Sequence, residues 1–349
     1  MIEWEPRLPT EVLPVVKEAT FDQGHEEAVR RQREALLATV AGPIADGLAQ
    51  SDVSEVIVDP DGSVQYDRIM GSLETAPGMV SPTRLDAIIT QIAGMLGKKT
   101  LDGVLEGELP LDGSRVQAWL PPVSLRGPSL VIRKHRKQGV DGWPALTVDD
   151  YVMPATYRAA LEQIVHERLN VLVVGSTASG KTTFAGALLR LISDLYPRDR
   201  IVTIEDTAEL YCAAKSYLAL RSTEVISQEL LAKTAMRARP DRIVLGEVRD
   251  RAAVAMIMGM STGHAGLSTV HGGSVMQGLV RVQQLTRLGG EDTITPTMIA
   301  DAIHYVILMA REPAGPRYVK EIAKVTGWRK KRGYQFESVP REGAVKESE

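Results

Sequence analysis

The stretch from Asn170 to Thr182 reads NVLVVGSTASGKT, and it decides the fold of the second half of the chain. Its short apolar run, VLVV, is typical of a strand that is buried in a parallel sheet. Residues 175–182 match the pattern G-x-x-x-x-G-K-[ST], in which glycines let backbone N–H groups curl around phosphates. We therefore expect a strand, then a phosphate-binding loop, then a helix that begins at Lys181.

Each part of this loop has an expected role at a nucleotide. Lys181 would bring a compact positive charge to the β and γ oxygens, and the hydroxyl of Thr182 would ligate Mg²⁺. The backbone of the loop would hold the phosphates by its N–H groups. The expected nucleotide-binding residues are Gly175, Ser176, Thr177, Ala178, Ser179, Gly180, Lys181, Thr182 and Thr183.

Acidic side chains follow two further apolar runs downstream. RIVTIED ends in Glu205 and Asp206, with Glu209 shortly after, and RIVLGE ends in Glu247. A single carboxylate at a strand end is more often a solvated surface group. Two such clusters after a phosphate loop favour a site, since ligands of open parallel sheets bind where the carboxyl ends of strands meet. Glu205 and Glu247 are candidates to hold Mg²⁺, Glu247 through water or by orienting the attacking water, and Asp206 is a weaker candidate.

The glycine-rich stretch at 262–274, TGHAGLSTVHGGS, contains two of the chain's six histidines. His264 and His271 are seven residues apart, and in a strand an odd separation sends two side chains to opposite faces. This spacing argues against joint metal binding. We expect 267–270 to form a core strand that delivers His271 to the nucleotide, with His264 at the preceding turn as a weaker candidate.

The bulk composition sets limits on the class of protein. A length of 349 residues suggests about two domains. The net charge of −3 and the pI of about 6.1 do not support direct DNA binding. A single cysteine, Cys212, excludes an internal disulfide framework and a multi-cysteine zinc site. Neither a secretory signal nor an apolar run of membrane-spanning length is visible, so we expect a cytoplasmic protein.

The first half of the chain has the pattern of an α+β domain. Helices are expected over 30–40 and 81–97, and two strands are expected within 54–68 around a Pro-Asp-Gly turn. Further short strands are expected at 103–109, 114–120 and 129–134. After a Gly-rich linker the pattern changes to apolar strands that alternate with helices, which indicates an α/β domain with a parallel sheet. The expected division is an N-terminal domain at 1–137, a linker at 138–150, an ATPase domain at 151–340 and a disordered tail at 341–349.

Four motifs follow one another in order: GSTASGKTT, IEDTAEL, RPDRIVLGEVRD and STGHAGLSTVHGGS. They resemble the Walker A, Asp box, Walker B and His box of the secretion ATPase superfamily. The N-terminal segments VIVDPDGSVQYDR, DGSRVQAWLPPVS and GPSLVIRK also resemble this superfamily. Together the motifs look like those of the type IV secretion traffic ATPases, especially the TrbB family of conjugative transfer. The resemblance extends over about 300 residues.

The resemblance implies a PAS-like N-terminal domain joined to a RecA-like P-loop ATPase domain. Six such chains would form a ring that binds ATP and Mg²⁺ between the two domains of each chain. Lys181, Glu209 and Glu247 would serve hydrolysis, and His271 would approach the γ-phosphate. Arg115 and Arg133 match positions at which the N-terminal domain contacts the phosphates. Arg237 and Arg239 match a basic segment of less certain role.

The resemblance also implies partners and a location. The partners would be other copies of the chain, other ATPases of type IV secretion and components of an inner-membrane complex. A contact with the membrane surface would place the protein peripherally on the cytoplasmic face of the inner membrane.

Three alternatives stay open at this stage. A type II secretion or type IV pilus motor would share the superfamily motifs, but many type II motors have a four-cysteine zinc module that a single cysteine cannot form. Retraction motors typically have an AIRNLE-like segment after the His box, where this chain has VMQGLVRVQQL. A DNA-translocating motor lacks support from charge or aromatic content. A nucleotide sensor that does not hydrolyse is the third alternative.

Overall fold

The computed structural model describes residues 40, 42–68, 73–100, 102–109, 113–135, 146–223, 225–288, 294–312 and 317–341. The helix expected over 30–40 lies outside these residues except for Val40, as do most of the expected linker and the tail after 341. The chain divides into two compact units, with the main boundary between Lys134 and His135. Residues 51–54, 67–68 and 73–74 group with the second unit.

The N-terminal part of the described chain is built around a six-stranded sheet. Its elements are α1 Pro43–Ala49, β1 Val53–Val58, β2 Ser63–Arg68, β3 Leu73–Met79, α2 Pro82–Met95, β4 Val104–Glu108, β5 Arg115–Trp119 and β6 Ser129–Arg133. The strand order is β3-β2-β1-β6-β5-β4, and β6 pairs antiparallel with both β1 and β5. All the strands expected in this half are present, and β3 is an additional one.

Helix α2 begins and ends close to where its sequence predicts. Ser81 is the N-cap, its side chain accepts a hydrogen bond from the backbone of Arg84, and Pro82 occupies the first helical position. The apolar face is buried as expected at positions three or four residues apart: Leu85, Ile88, Ile89 and Ile92. The predicted period therefore identifies the face that packs on the core.

The second unit contains an eight-stranded sheet. Its helices are α3 Ala155–His166, α4 Lys181–Leu195, α5 Gln228–Ala235, α6 Ala252–Ser261, α7 Val275–Arg287 and α8 Pro296–Ala302, with short 3-10 helices at Val148–Asp150 and Met236–Ala238. Its strands are β7 Val171–Gly175, β8 Arg200–Glu205, β9 Ser216–Arg221, β10 Arg242–Leu245, β11 Ala265–His271, β12 Tyr305–Arg311, β13 Arg317–Arg329 and β14 Gly333–Ser338. Within the described residues, no helix is both long and apolar enough to cross a membrane.

The order of this sheet is β14-β13-β12-β7-β11-β10-β8-β9. The strands from β12 to β9 pair in parallel, whereas β13 and β14 add an antiparallel edge beside β12. Because neighbouring parallel strands run the same way, the carboxyl ends of β7, β11, β10 and β8 lie along one edge of the sheet. This edge carries the residues that the motifs single out.

Both faces of this sheet are buried, which explains why its strands read as continuous apolar runs. In β7, Leu172 and Val174 belong to one hydrophobic cluster, while Val171 and Val173 belong to another. Alternate side chains of a strand point to opposite faces, so the two clusters form two separate cores. The sheet is therefore covered on both sides, as expected for a parallel α/β sheet.

Candidate nucleotide site

The loop between β7 and α4 has the backbone shape of an anion-binding nest. Ala178 and Gly180 have φ angles of 60° and 87°, and Gly180 is the N-cap of α4. A left-handed conformation is uncommon for a residue with a Cβ atom, and it persists where the surroundings enforce it. Together with the N-terminus of α4, this loop offers N–H groups that favour negative charge.

The interior of the loop has no room for a further side chain. A Cβ atom on Gly175 would lie 2.3 Å from Oγ of Ser179 and 2.9 Å from the backbone oxygen of Met309. Ser179 is fully buried, and its hydroxyl makes no hydrogen bond within the described part of the chain. A buried hydroxyl of this kind suits a polar partner from outside the chain, such as a phosphate oxygen.

Lys181 is held at the start of α4 by the loop and by the neighbouring strand. Its side chain is buried, and Nζ donates a 2.9 Å hydrogen bond to the backbone oxygen of Ser176. Nζ also lies 3.4 Å from Nδ1 of His271. The register of the sheet explains this contact, because His271 pairs with Gly175 where β11 lies beside β7. Strand β11 thus delivers His271 to the loop, as its sequence predicts.

His271 is partly exposed and lies between one cation and one carboxylate. Since the Lys181 ammonium only donates, Nδ1 of His271 is the unprotonated ring nitrogen and the proton lies on Nε2. Nε2 lies 2.9 Å from Oε1 of Glu247. Burial and the charge of Lys181 lower the pKa of His271, although Glu247 opposes them. The imidazole is therefore neutral near pH 7.

Glu247 and Asp206 are bridged by a residue that the sequence analysis did not single out. Arg249 donates to Oε2 of Glu247 at 2.6 Å and to Oδ2 of Asp206 at 3.0 Å. Burial alone would raise the pKa of Glu247, but the Arg249 guanidinium, with His271 and Lys181, holds that pKa below its ordinary value. Glu247 is therefore a carboxylate at neutral pH. Its Oε1 is buried and lies 2.9 Å from Nε2 of His271.

Glu205 points into the turn of its own motif. Its Oε1 accepts 3.0 Å hydrogen bonds from the backbone N–H groups of Glu209 and Leu210. Burial raises its pKa to about 7, and the nearby charges of Glu209 and Asp206 add to this rise. Glu205 thus shapes the segment after β8, whereas half-buried Glu209 contributes to the negative field around Arg249.

The chain also matches a family of known proteins. The family described as "Type II/IV secretion system protein" matches residues 103–319, which is well over half of the chain. The chain belongs to this family.

Two curated relatives match nearly all of the chain. The conjugal transfer protein TrbB of Rhizobium radiobacter is 32% identical over 314 residues, which cover 88% of this chain and 93% of the relative. A probable conjugal transfer protein TrbB of Sinorhizobium fredii is 34% identical over 323 residues, which cover 90% of this chain and 95% of the relative. The resemblance to type IV secretion ATPases that the four motifs predict is confirmed.

A solved structure shows the same fold. The X-ray structure of the Legionella pneumophila ATPase DotB is similar with a TM-score of 0.57 at 18% identity, and the likeness covers 90% of this chain and 81% of DotB. The expected fold class is confirmed: an N-terminal PAS-like α+β domain is joined to a C-terminal RecA-like P-loop ATPase domain.

Three of the weaker candidates lie away from the nucleotide loop within the second unit. His264 precedes β11 and His271 ends it, so the two histidines are about 20 Å apart at the usual rise per strand residue. Nδ1 of His264 lies 3.3 Å from the hydroxyl of Thr262. Arg237 and Arg239 are exposed and precede the start of β10, at the end of that strand opposite Glu247.

The two arginines of the N-terminal unit lie side by side on neighbouring strands. Arg115 begins β5 and Arg133 ends β6, and the antiparallel register pairs them. Nε of Arg133 lies 3.5 Å from Oε1 of Glu55 on β1. The two arginines therefore lie close together on this sheet. Their role at a nucleotide stays a prediction.

Proposed function

We propose that this chain is an ATPase motor that powers a type IV secretion apparatus of conjugative transfer. The observation that carries the proposal is the phosphate loop whose Lys181 stands beside His271 and Glu247 at the carboxyl edge of a parallel sheet. Two relatives above 30% identity carry the name of a conjugal transfer protein, which supports the biological setting.

The residues of the loop fit ATP and Mg²⁺. The nest around Ala178 and Gly180 suits the phosphates, and the unpartnered hydroxyl of Ser179 offers one more polar contact. Thr182 would hold the metal through its hydroxyl, and the Glu247 carboxylate would hold a water molecule beside it. When bound, Mg²⁺ neutralises charge on the β and γ oxygens.

The proposed reaction is the attack of water on the γ-phosphorus of ATP, which breaks the bond to the β–γ bridging oxygen and yields ADP and phosphate. Glu247 orients the water and accepts its proton, a role that requires the ionised carboxylate that Arg249 maintains. Lys181 moves from the Ser176 carbonyl to the γ oxygens. His271, neutral and adjacent to Lys181, then reports the presence of the γ-phosphate. Glu209 assists hydrolysis, and its contribution is coupled to that of Glu247.

Phosphate release by the purified chain tests this proposal. We expect turnover in the parent chain and a loss of at least about 100-fold in Lys181→Ala, because the lysine stabilises the charge that develops on the γ oxygens. A substitution of Lys233, which pairs with Glu229 on α5, serves as the matched lysine control. A parent chain that binds ATP without turnover would support the nucleotide-sensor alternative instead.

We further propose that Arg115 and Arg133 contact the nucleotide phosphates. The support is their match to the family's phosphate-contacting positions and their pairing on β5 and β6. Turnover in Arg115→Ala and Arg133→Ala should fall about 10-fold or more if each stabilises developing charge. Normal turnover in both variants would contradict this part of the proposal.

The assembly that we propose is a ring of six copies, peripheral on the cytoplasmic face of the inner membrane and bound to inner-membrane components of the apparatus. Its support is the family resemblance. Native mass measurement with and without a slowly hydrolysed ATP analogue tests the ring, and a monomer under both conditions would contradict it.

A further inference from the structure

Gln228 is a buried polar residue that the roles assigned above do not use. It is the first residue of α5, follows the N-cap Ser227, and is only 7% exposed. A buried amide has to find partners for both its donor and its acceptor, because a buried polar group without a partner destabilises the fold. Its partners therefore show what the residue does.

The amide of Gln228 lies between the two acidic motifs. Its nitrogen donates to the backbone oxygen of Glu247 at 3.2 Å, and its oxygen accepts from the backbone N–H of Asp206 at 3.1 Å. The opposite orientation would set nitrogen against N–H and oxygen against carbonyl, so the hydrogen-bond network assigns the amide. One side chain thus joins the residues that follow β8 and β10.

This contact occurs where the backbone pairing of the two strands changes. Gly246 N–H still donates to the oxygen of Ile204 at 2.9 Å, as the parallel ladder between β8 and β10 requires. One step further, the oxygen of Gly246 accepts a 2.7 Å bond from the hydroxyl of Thr269 on β11. Gln228 spans the next position, between Asp206 and Glu247, and so extends the connection past the end of the ladder.

The same two residues are bridged on their side-chain ends by Arg249. Its guanidinium contacts Oε2 of Glu247 and Oδ2 of Asp206. Asp206 and Glu247 are therefore joined twice, by Gln228 through their backbones and by Arg249 through their carboxylates. A carboxylate that is held at both backbone and side chain keeps a fixed direction relative to the phosphate loop.

We propose that Gln228 is a positioning residue for hydrolysis, which ties the Asp box to Walker B so that the Glu247 carboxylate stays aimed at the attacking water. This inference rests on the ATPase function proposed above. The two hydrogen bonds of Gln228 go to Asp206 and Glu247, so its loss should lower turnover at saturating ATP and leave the apparent affinity for ATP nearly unchanged.

Two substitutions separate positioning from simple folding. Gln228→Met keeps the length of the side chain and removes both hydrogen bonds, and we expect kcat to fall on the order of 10-fold with KM for ATP within about 2-fold of the parent. The matched control is Gln283→Met, which removes a 3.1 Å bond to Tyr334 on β14 at the opposite edge of the sheet. This control should turn over like the parent.

The pH dependence of turnover in Gln228→Glu is a second readout, and a purely structural role of Gln228 would not change it. An ionised Glu still accepts from Asp206 N–H but cannot donate to the Glu247 oxygen, whereas a protonated Glu does both. Its charged neighbours there are Glu205, Asp206, Glu229, Glu247, Arg249 and Arg251. As pH falls from about 8 to about 6, turnover relative to the parent should rise in Gln228→Glu and stay flat in Gln228→Met.

Hydrogen exchange at the amide of Asp206 makes the test independent of turnover. We expect this amide to be protected in the parent and to exchange at least about 10-fold faster in Gln228→Met. Free exchange in the parent would contradict the contact itself, whether or not the chain hydrolyses ATP.

Parent-like kcat in both Gln228 variants, with Lys181→Ala inactive, would contradict the positioning role of Gln228 but not the ATPase function. A parent without turnover would overturn the ATPase function and the positioning role together.

Discussion

Nζ of Lys181 lies 3.4 Å from Nδ1 of His271, because β7 and β11 pair with Gly175 opposite His271. The lysine that the motif assigns to phosphate oxygens thus has partners within the chain, which are His271 and the backbone oxygen of Ser176. In the proposed mechanism, phosphate binding would replace these contacts and release a neutral imidazole next to Glu247. Nucleotide binding and the proposed catalytic carboxylate would then be linked through one histidine.

His271→Ala should lower turnover at saturating ATP by about 10-fold or more, because the γ-phosphate loses a polar neighbour and Lys181 loses its partner. Phosphate release and binding of a fluorescent ATP analogue give the two readouts. His264→Ala is the matched control, since it removes the histidine that immediately precedes the same strand. Equal turnover in the two variants would contradict the role of His271.

Arg249→Ala should lower turnover at neutral pH by about 10-fold, since Glu247 loses the cation that keeps it ionised and oriented. Without the guanidinium the pKa of Glu247 rises, so the variant should lose activity at a higher pH than the parent as the solution is acidified. A pH profile of turnover checks this. Arg251→Ala is the control, because Arg251 lies 3.6 Å from Glu229 instead. A pH profile for Arg249→Ala that coincides with the profile of the parent would contradict the role of the Arg249–Glu247 ion pair.

Glu205 should make the free energy of unfolding depend on pH. Its pKa is raised from the ordinary 4.5 to about 7 in the fold, so its stabilising effect is full below 4.5 and is lost as pH rises through 7. Glu205→Gln keeps an acceptor for the N–H groups of Glu209 and Leu210 and removes the ionisation. At pH 8 the variant should be more stable than the parent by about 1–3 kcal/mol, with near parity below pH 5.

Urea unfolding at pH 5 and pH 8 measures this difference directly. Glu162→Gln is a suitable control, because that carboxylate is exposed on α3 and pairs with Arg158. A Glu205→Gln variant that gains nothing at pH 8 would show that the ionised carboxylate is tolerated in its buried turn.

Much of the ATPase domain could be predicted from local sequence. The run that becomes β7, the loop at 175–182 and the start of α4 are set by neighbouring residues, and the structure has all three where they were expected. The strand that carries His271 was also predicted, although it is longer than 267–270. Strands β9, β12, β13 and β14 were not predicted. Burial is mixed in β9, β13 and β14, and the pairing of all four depends on partners that are distant in sequence.

The contacts at the carboxyl edge could only come from the fold. Nothing in GEVRD alone shows that Arg249 reaches Asp206, 43 residues earlier in the chain. Gln228 gave no motif signal, because its role depends on where α5 begins relative to two strand ends. The turn at 206–210 sets the direction of the Glu205 side chain in the same way. Residue type and spacing therefore identified these carboxylates as candidates but could not predict the different role of each one.

We propose above all that the phosphate loop and Glu247 form one ATP-hydrolysing site. Its most direct test is the comparison of ATP binding and phosphate release in the parent chain, Lys181→Ala and Glu247→Gln. We predict that the parent binds and hydrolyses ATP, that Lys181→Ala binds it at least about 10-fold more weakly, and that Glu247→Gln binds it normally with turnover reduced at least about 100-fold. Parent-like turnover in Glu247→Gln would contradict the account.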